Sequence, residues 1–255
     1  MAAMANTSLR ALRAFTNHVR VPFGTYNLRP VTATTQPGTG VYRSAMLWGA
    51  TRADLAELQQ LGVRLVIDLR TAKVRANFPD PHLPGAVGVH VDIHGIEENL
   101  PVARETPQDV MAVMQQRYRN LVRLPSQRQK VAEVMRLIAD EPGAVIFHCT
   151  DGKDRTGWIA VLLQHLHGDS MQTIWQYYLD SNRHVESMRD FRYRANQLTG
   201  GTRLAERKRP SDLVHPSYLR AALETVTADY GDLDGYLSDG LGLDEATLER
   251  LRAKL

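Results

Sequence analysis

The chain has 255 residues, 43% hydrophobic and 23% charged, with a formal net charge of +3. That is the profile of a globular protein long enough to bury a sizeable core. One cysteine excludes an intramolecular disulfide and a thiolate metal cluster, and no apolar run approaches the ~18 residues of a membrane span.

Residues 1–20 scatter Arg10, Arg13 and Arg20 among short apolar groups. They lack the continuous apolar stretch of a signal peptide, so a cytoplasmic location is expected, with secretion by another route left open. The first structured piece is expected over residues 20–28, and residues 41–47 read as a strand. Thr51 and Asp54 form a capping box ahead of Leu55, Leu58 and Leu61, and Gly62 ends that helix. Residues 63–69 (VRLVIDL) and 87–93 (VGVHVDI) have the pattern of strands buried on both faces. Three prolines make 78–85 a loop. A helix follows over 108–124, with Val110, Met111, Met114 and Tyr118 on one face, until Pro125 breaks it. Ser126 and Gln129 are the expected cap of the next helix, whose Val131, Val134, Met135 and Ile138 repeat at helical spacing.

Residues 144–149 (AVIFHC) are too few for a helix between Gly143 and Gly152 and read as a strand; 156–167 is helical beyond the loop. Ser170 caps a helix through Tyr178. Residues 183–209 then gather eight Arg/Lys against three acids, so this stretch carries +5 and the rest of the chain −2. Such a segment is either a solvated helix face or a surface for an anionic partner: phosphorylated protein, phospholipid or nucleic acid. Gly200-Gly201 and Pro210 interrupt it. The last 45 residues read as helices over 215–230, near Tyr236, and over 244–255. Strands alternating with helices predict an α/β fold: a central, mostly parallel sheet flanked by helices, with a helical C-terminal portion.

The strand–loop–helix at 144–167 is where chemistry is expected. Backbone N–H groups of the loop and of the helix N-terminus converge on one point, and the helix dipole favours negative charge there. Cys149 begins the loop, in a field that favours the thiolate. Arg155 ends it and can fork two N–H groups onto phosphate oxygens. A thiolate beneath a bound tetrahedral anion is placed for in-line attack on phosphorus, and Thr156 can donate a hydrogen bond to it. The bland alternative for Cys149 is a small buried hydrophobe.

His148-Cys149, five residues, then Arg155-Thr156 matches the signature of cysteine-dependent protein tyrosine phosphatases. The fuller HCTDGKDRTG resembles the atypical bacterial protein tyrosine/serine phosphatases, whose mycobacterial members are tyrosine phosphatase B-like. GTYNLRP, VYRSAML, LGVRLVIDLR and the C-terminal YGDLDGYLSDGLGLDEATLERLR resemble segments of the same group, so the likeness runs from about Gly24 to the end. CTDGKDRT is also similar to the loop of myotubularin-type phosphoinositide phosphatases. The resemblance implies a cysteine-phosphatase fold as one domain over 1–255, with residues 183–210 as a helical lid and 211–255 as C-terminal helices. It implies hydrolysis of phosphoprotein, and possible hydrolysis of phosphoinositide, through a phosphocysteine.

Two departures stand out. YNLRPV lacks the acidic residue and glycines that usually follow the arginine. Asp151 stands where a small residue is usual, and its charge opposes a bound dianion unless it points away or is paired by an arginine.

The leaving oxygen needs a proton. The resemblance points to Asp154, directly before the arginine; Asp92, Asp68 and Asp151 are the other candidates. The phosphate cradle is then Thr150, Asp151, Gly152, Lys153, Thr156 and Gly157, with His148, Asp68 and Asp92 in support. Lys153 suits multiply anionic substrates or, alternatively, solvent. His82, His90 and His94 lack a metal-ligand pattern. No metal or cofactor is expected, because Arg155 and the amides carry the charge. The alternatives are a non-catalytic phosphate-binding module and an anionic-polymer binder using the basic segment, though nucleic acid is not the expected partner. Arsenate reduction would need more thiols for its relay than this chain has.

Overall fold

The computed structural model of the chain describes residues 24–94 and 104–255; the arginine-dotted stretch 1–20 and the opening of the piece expected at 20–28 lie outside them. Five strands form one sheet: β1 (Arg29–Pro30), β2 (Val41–Ser44), β3 (Val63–Asp68), β4 (Val87–His90) and β5 (Ala144–His148). Their order is β1-β2-β5-β3-β4, antiparallel between β1 and β2 and parallel elsewhere.

β5 lies at the centre and is buried along its whole length. Its side chains alternate between two cores, as the two-residue strand period requires. Val145 and Phe147 join the larger core with Trp158, Leu162 and Ile138, while Ala144 and Ile146 join a smaller one with Leu58, Val63 and Leu47. A parallel sheet covered on both faces fixes the end of β5, and with it the residue that follows, Cys149.

The helices among the described residues are α1 (Arg52–Gln60), α2 (Ala72–Asn77), α3 (Pro107–Arg123), α4 (Pro125–Asp140), α5 (Arg155–His167), α6 (Met171–His184), α7 (Glu186–Asp212), α8 (Pro216–Tyr230) and α9 (Glu245–Lys254). Short turns at Leu233–Gly235 and Tyr236–Gly240 connect α8 to α9. The Thr51–Asp54 capping box is present, Ser170 caps α6, and Gly62 adopts φ +73° just past α1.

Several expectations need correction. β4 is not buried on both faces: it is the sheet's edge, it ends at His90, and Val87 is 65% exposed. β2 stops at Ser44 because the chain there turns to pack against the loop after β5. α2 has no apolar periodicity to announce it and rests on a Thr71 cap. Ser126 does not cap α4: Pro125 occupies the first turn, where its missing N–H costs nothing, and Leu124 precedes it without a side-chain cap. α6 runs on to His184, past Tyr178.

Pro210 does not stop α7, which continues to Asp212. Gly200 and Gly201 do leave helical geometry, Gly201 at φ +74°, and the helix doubles back there. The two arms face each other through Tyr193 Oη–Glu206 Oε1 at 2.5 Å and Lys208 Nζ–Asn196 Oδ1 at 3.3 Å. The basic segment is therefore a helical hairpin, packed along α3. Among the described residues no helix is long and apolar enough to cross a membrane.

Candidate active site

The loop 149–154 leaves the C-terminal end of β5 and enters α5. Gly152 takes φ +66° and lies so close to β2 that a Cβ there would sit 2.1 Å from the Ser44 carbonyl oxygen. Only glycine fits that approach. Asn27 Nδ2 donates to the Asp151 and Gly152 carbonyls at 2.8 and 3.0 Å, and Arg43 donates to the same Gly152 carbonyl. The carbonyls are thus drawn outward. Among the described residues the N–H groups of residues 150–155 meet no protein acceptor, and Asp154, at the N-cap of α5, makes no side-chain bond to the first turn. Unpaired N–H groups of a loop at a helix N-terminus are suited to cradle an anion.

Cys149 is 2% exposed, and it lines a cleft of about 290 Å³ together with Thr150, Asp151, Lys153, Asp154 and Arg155. Arg155 Nη1 donates to the Leu69 carbonyl at 2.8 Å and Nη2 to Thr150 Oγ1 at 3.4 Å, which fixes the guanidinium at the cleft wall. Thr156 Oγ1 is buried and has no hydrogen-bond partner among the described residues. Gly157 packs beneath the loop against Tyr178.

Asp154 sits between two donors. Tyr118 Oη donates to Oδ1 at 3.0 Å and is itself the acceptor of Tyr178 Oη at 3.0 Å; Lys153 Nζ lies 2.6 Å from Oδ2. Burial, and then the Asp154 charge, push Tyr118 well above the ordinary tyrosine range. Tyr118 therefore stays a donor at any ordinary pH. Lys153 does not face solvent: it is 1% exposed and also donates to the Ser211 and Leu213 carbonyls at 2.9 and 3.4 Å, at the end of the hairpin.

Asp151 is paired. Tyr26 Oη donates to its Oδ1 at 3.0 Å, and Arg192 of the hairpin donates to the same oxygen at 2.7 Å. Burial alone would raise its pKa; Arg192 and Lys153 outweigh that and hold the carboxyl below its ordinary value. Arg192 also pairs with Asp212 at 3.0 Å. Burial raises Asp212 above its ordinary value despite that arginine. The extra carboxylate beside the cradle is thus neutralised from the hairpin.

Beneath the loop, Arg70 binds Asp68 with Nε and Nη2 at 2.8 Å each, and Nη2 also reaches Asp80 at 2.8 Å. Asp80 Oδ2 stands 3.1 Å from His148 Nε2, and Leu47 N–H donates to Asp80 Oδ1. Burial would raise Asp68, but hydrogen bonds from Arg70 win and lower it. Asp68, Asp80 and His148 cluster closely enough to suggest a cation site. Arg70 already supplies their positive charge. Neither Asp68 nor Asp92 lines the cleft; Asp92 accepts the Ala72 N–H at 3.4 Å, at the start of α2.

The sequence reading missed Tyr118, His94, Met114 and Arg117, which also line the cleft, and Arg70, Asp80, Asn27 and Arg43, which shape it. Asn27 had one local sign, an N-L-R run after a turn. Asp80 had none, since it lies in a proline-rich loop.

A cysteine at the root of a loop with unpaired N–H groups, closed by an arginine at the end of a parallel sheet, is an arrangement suited to phosphate chemistry. Residues 23–255 match the tyrosine phosphatase family, and the chain belongs to that family. It is 32% identical over 234 residues to a tyrosine-protein phosphatase of Nostoc commune, covering 88% of this chain and 76% of that one. It is 30% identical over 270 residues to the triple specificity protein phosphatase PtpB of Mycobacterium tuberculosis, covering 91% and 97%. The protein is a phosphatase.

Proposed function

We propose that the enzyme hydrolyses phosphomonoesters of protein side chains, phosphotyrosine together with phosphoserine or phosphothreonine, through a phosphocysteine. The observation carrying this is Cys149 at the floor of a cleft whose loop N–H groups are free and whose rim holds Arg155. The phosphate dianion binds to the N–H groups of residues 150–155 and to Arg155, and the Cys149 thiolate attacks phosphorus opposite the leaving oxygen. The S–P bond forms as the P–O bond breaks, and Asp154 gives its proton to the departing oxygen. Water then attacks phosphorus, Asp154 takes a proton from it, inorganic phosphate leaves, and the thiolate returns.

Tyr118 and Lys153 hold the Asp154 carboxyl toward the cleft. Thr156 serves the thiolate from below, and His148 and Asp68 hold the floor. The hairpin covers the cleft as a lid whose basic surface attracts acidic substrates. Phosphoinositide hydrolysis is a second activity of the same cleft, supported only by the Gly152-Lys153-Asp154 run and its likeness to lipid phosphatases.

Cys149→Ser tests the reading. The variant should lose essentially all hydrolysis of p-nitrophenyl phosphate while keeping vanadate binding. Retention of more than about a tenth of the activity would rule out covalent catalysis by this residue.

A further inference from the structure

A second cavity, of about 580 Å³, lies between α3 and the hairpin and shares Met114, Arg117 and Ser211 with the catalytic cleft. Its wall carries five cationic side chains, on Arg104, Arg117, Arg192, Arg207 and Lys208, against one carboxylate, Asp212. Arg192 is committed to Asp151 and Asp212. Lys208 makes one side-chain hydrogen bond, 3.3 Å to the neutral Asn196, and its charge also acts on Asp212; among the described residues Arg207 makes no hydrogen bond or ion pair. Val110 and Val113 of α3 and Ala195 of the hairpin give the same cavity an apolar floor.

We infer that this cavity is a second anion site, built around Arg207 and Lys208, that binds an additional phosphate on the phosphopeptide whose first phosphate occupies the catalytic cleft. The inference rests on the phosphatase reading above and extends it to substrate choice. Two cavities with a common wall suit one extended peptide, which advances ~3.3–3.6 Å per residue and so places a nearby phosphorylated side chain in the adjoining cavity. A mixed lining matches such a side chain, an apolar stem ending in a dianion. A lipid fits less well. Among the described residues the exposed large hydrophobics are Val87, Met171 and Leu198, and none lines either cavity. Among the described residues, then, no exposed large hydrophobic forms an acyl-chain collar beside the cleft.

The test uses the full chain carrying Cys149→Ser, so binding is read without turnover. Fluorescence anisotropy compares a phosphotyrosine peptide with versions bearing one phosphoserine at successive positions within about four residues on either side. The best-placed double phosphopeptide should bind about tenfold tighter than its parent. Arg207→Gln with Lys208→Gln should erase that gain and weaken the parent peptide, with its single phosphate, far less. In the Cys149 enzyme the same pair should leave kcat/KM for p-nitrophenyl phosphate unchanged, which also shows that the variant folds. The inference is overturned if no position gives a gain, if the gain survives in the paired variant, or if Arg207 and Lys208 instead govern binding to phosphoinositide vesicles. Failure of the phosphatase reading has a different sign: residual hydrolysis by Cys149→Ser.

Discussion

Beneath the phosphate loop Arg70 bridges Asp68 and Asp80; beside it Arg192 bridges Asp151 and Asp212. Both are arginines between two carboxylates, yet their settings differ. The Arg70 side chain is 0% exposed, and its partners lie two and ten residues away along the chain. The Arg192 side chain is 24% exposed and reaches Asp151 across 41 residues, from a hairpin bent at two glycines. The lower network belongs to the scaffold and sets where Cys149 sits. The lateral one joins the loop to a separate element, so the charge balance at the loop depends on the hairpin being in place. One fold thus separates holding Cys149 from conditioning its surroundings.

Removing the buried arginine should have the largest effect. Arg70→Met leaves only the exposed Arg75, 3.7 Å from Asp68, as a guanidinium partner of the Asp68–Asp80 pair and should cost about 3–5 kcal/mol, because the buried charge is left poorly compensated. Urea denaturation measures it. A loss below about 1 kcal/mol would mean that water or Arg75 replaces the guanidinium, and that this network is no more structural than the lateral one.

Asp154 stands where the two sides meet, held by Tyr118 of α3 and by Lys153, which is tied to the hairpin's end. Asp154→Asn should slow phosphoserine peptide hydrolysis by about 10²-fold and affect activated aryl phosphates far less, since only poor leaving groups need the proton. Equal losses on both would make Asp154 a shaper of the loop, and a leaving-group-dependent loss in Asp92→Asn would move the acid upstream.

How much of this was readable beforehand follows the range of the interactions. β5, the loop and α5 are contiguous, so strand, turn and cap signals sufficed to place Cys149 and Arg155, and the basic segment with its Gly200-Gly201 break was visible as composition. Asp151 could be recognised as a charge in need of an arginine. Which arginine supplies it depends on how a hairpin 41 residues away lies on α3, and no local pattern encodes that. Asp80 and Tyr118 reach the site in the same way, from a proline-rich loop and from a helix face that looked only like core. β4 read as fully buried because β-branched Val87, Val89, Val91 and Ile93 recur through 87–93; its edge position is a property of sheet order, not of its own sequence.

The lateral network gives a smaller, reversible effect. Arg192→Met leaves the Asp151 carboxylate beside the cradle with only Lys153 to offset it, so vanadate affinity should fall about tenfold. Adding Asp151→Asn should restore most of it, because the offending charge is then gone. If single and double variants bind vanadate equally weakly, Arg192 acts through the position of the hairpin rather than through charge, and the contrast between the two networks must be redrawn.

The smallest expected effect is a pH dependence at the cleft wall. Burial, and then the charges of Arg155 and Arg117, hold the His94 pKa well below the ordinary histidine range. In the unfolded chain His94 titrates near 6.5. Above that pH both states carry a neutral imidazole and the residue contributes no pH dependence. As pH falls through 6.5, the unfolded state takes up a proton that the folded state refuses, so stability declines by up to about 1.4 kcal/mol per pH unit. The Asp68 and Asp151 carboxyls lack this behaviour, since each is held below its ordinary value and keeps its charge in that window. Urea unfolding of wild type and His94→Gln at pH 7.5, 6.5 and 5.5 isolates the effect. The two proteins should differ in parallel fashion from 7.5 to 6.5, and below that the wild type should lose stability faster. Identical slopes throughout would show that the His94 imidazole accepts a proton in the folded cleft despite Arg155 and Arg117.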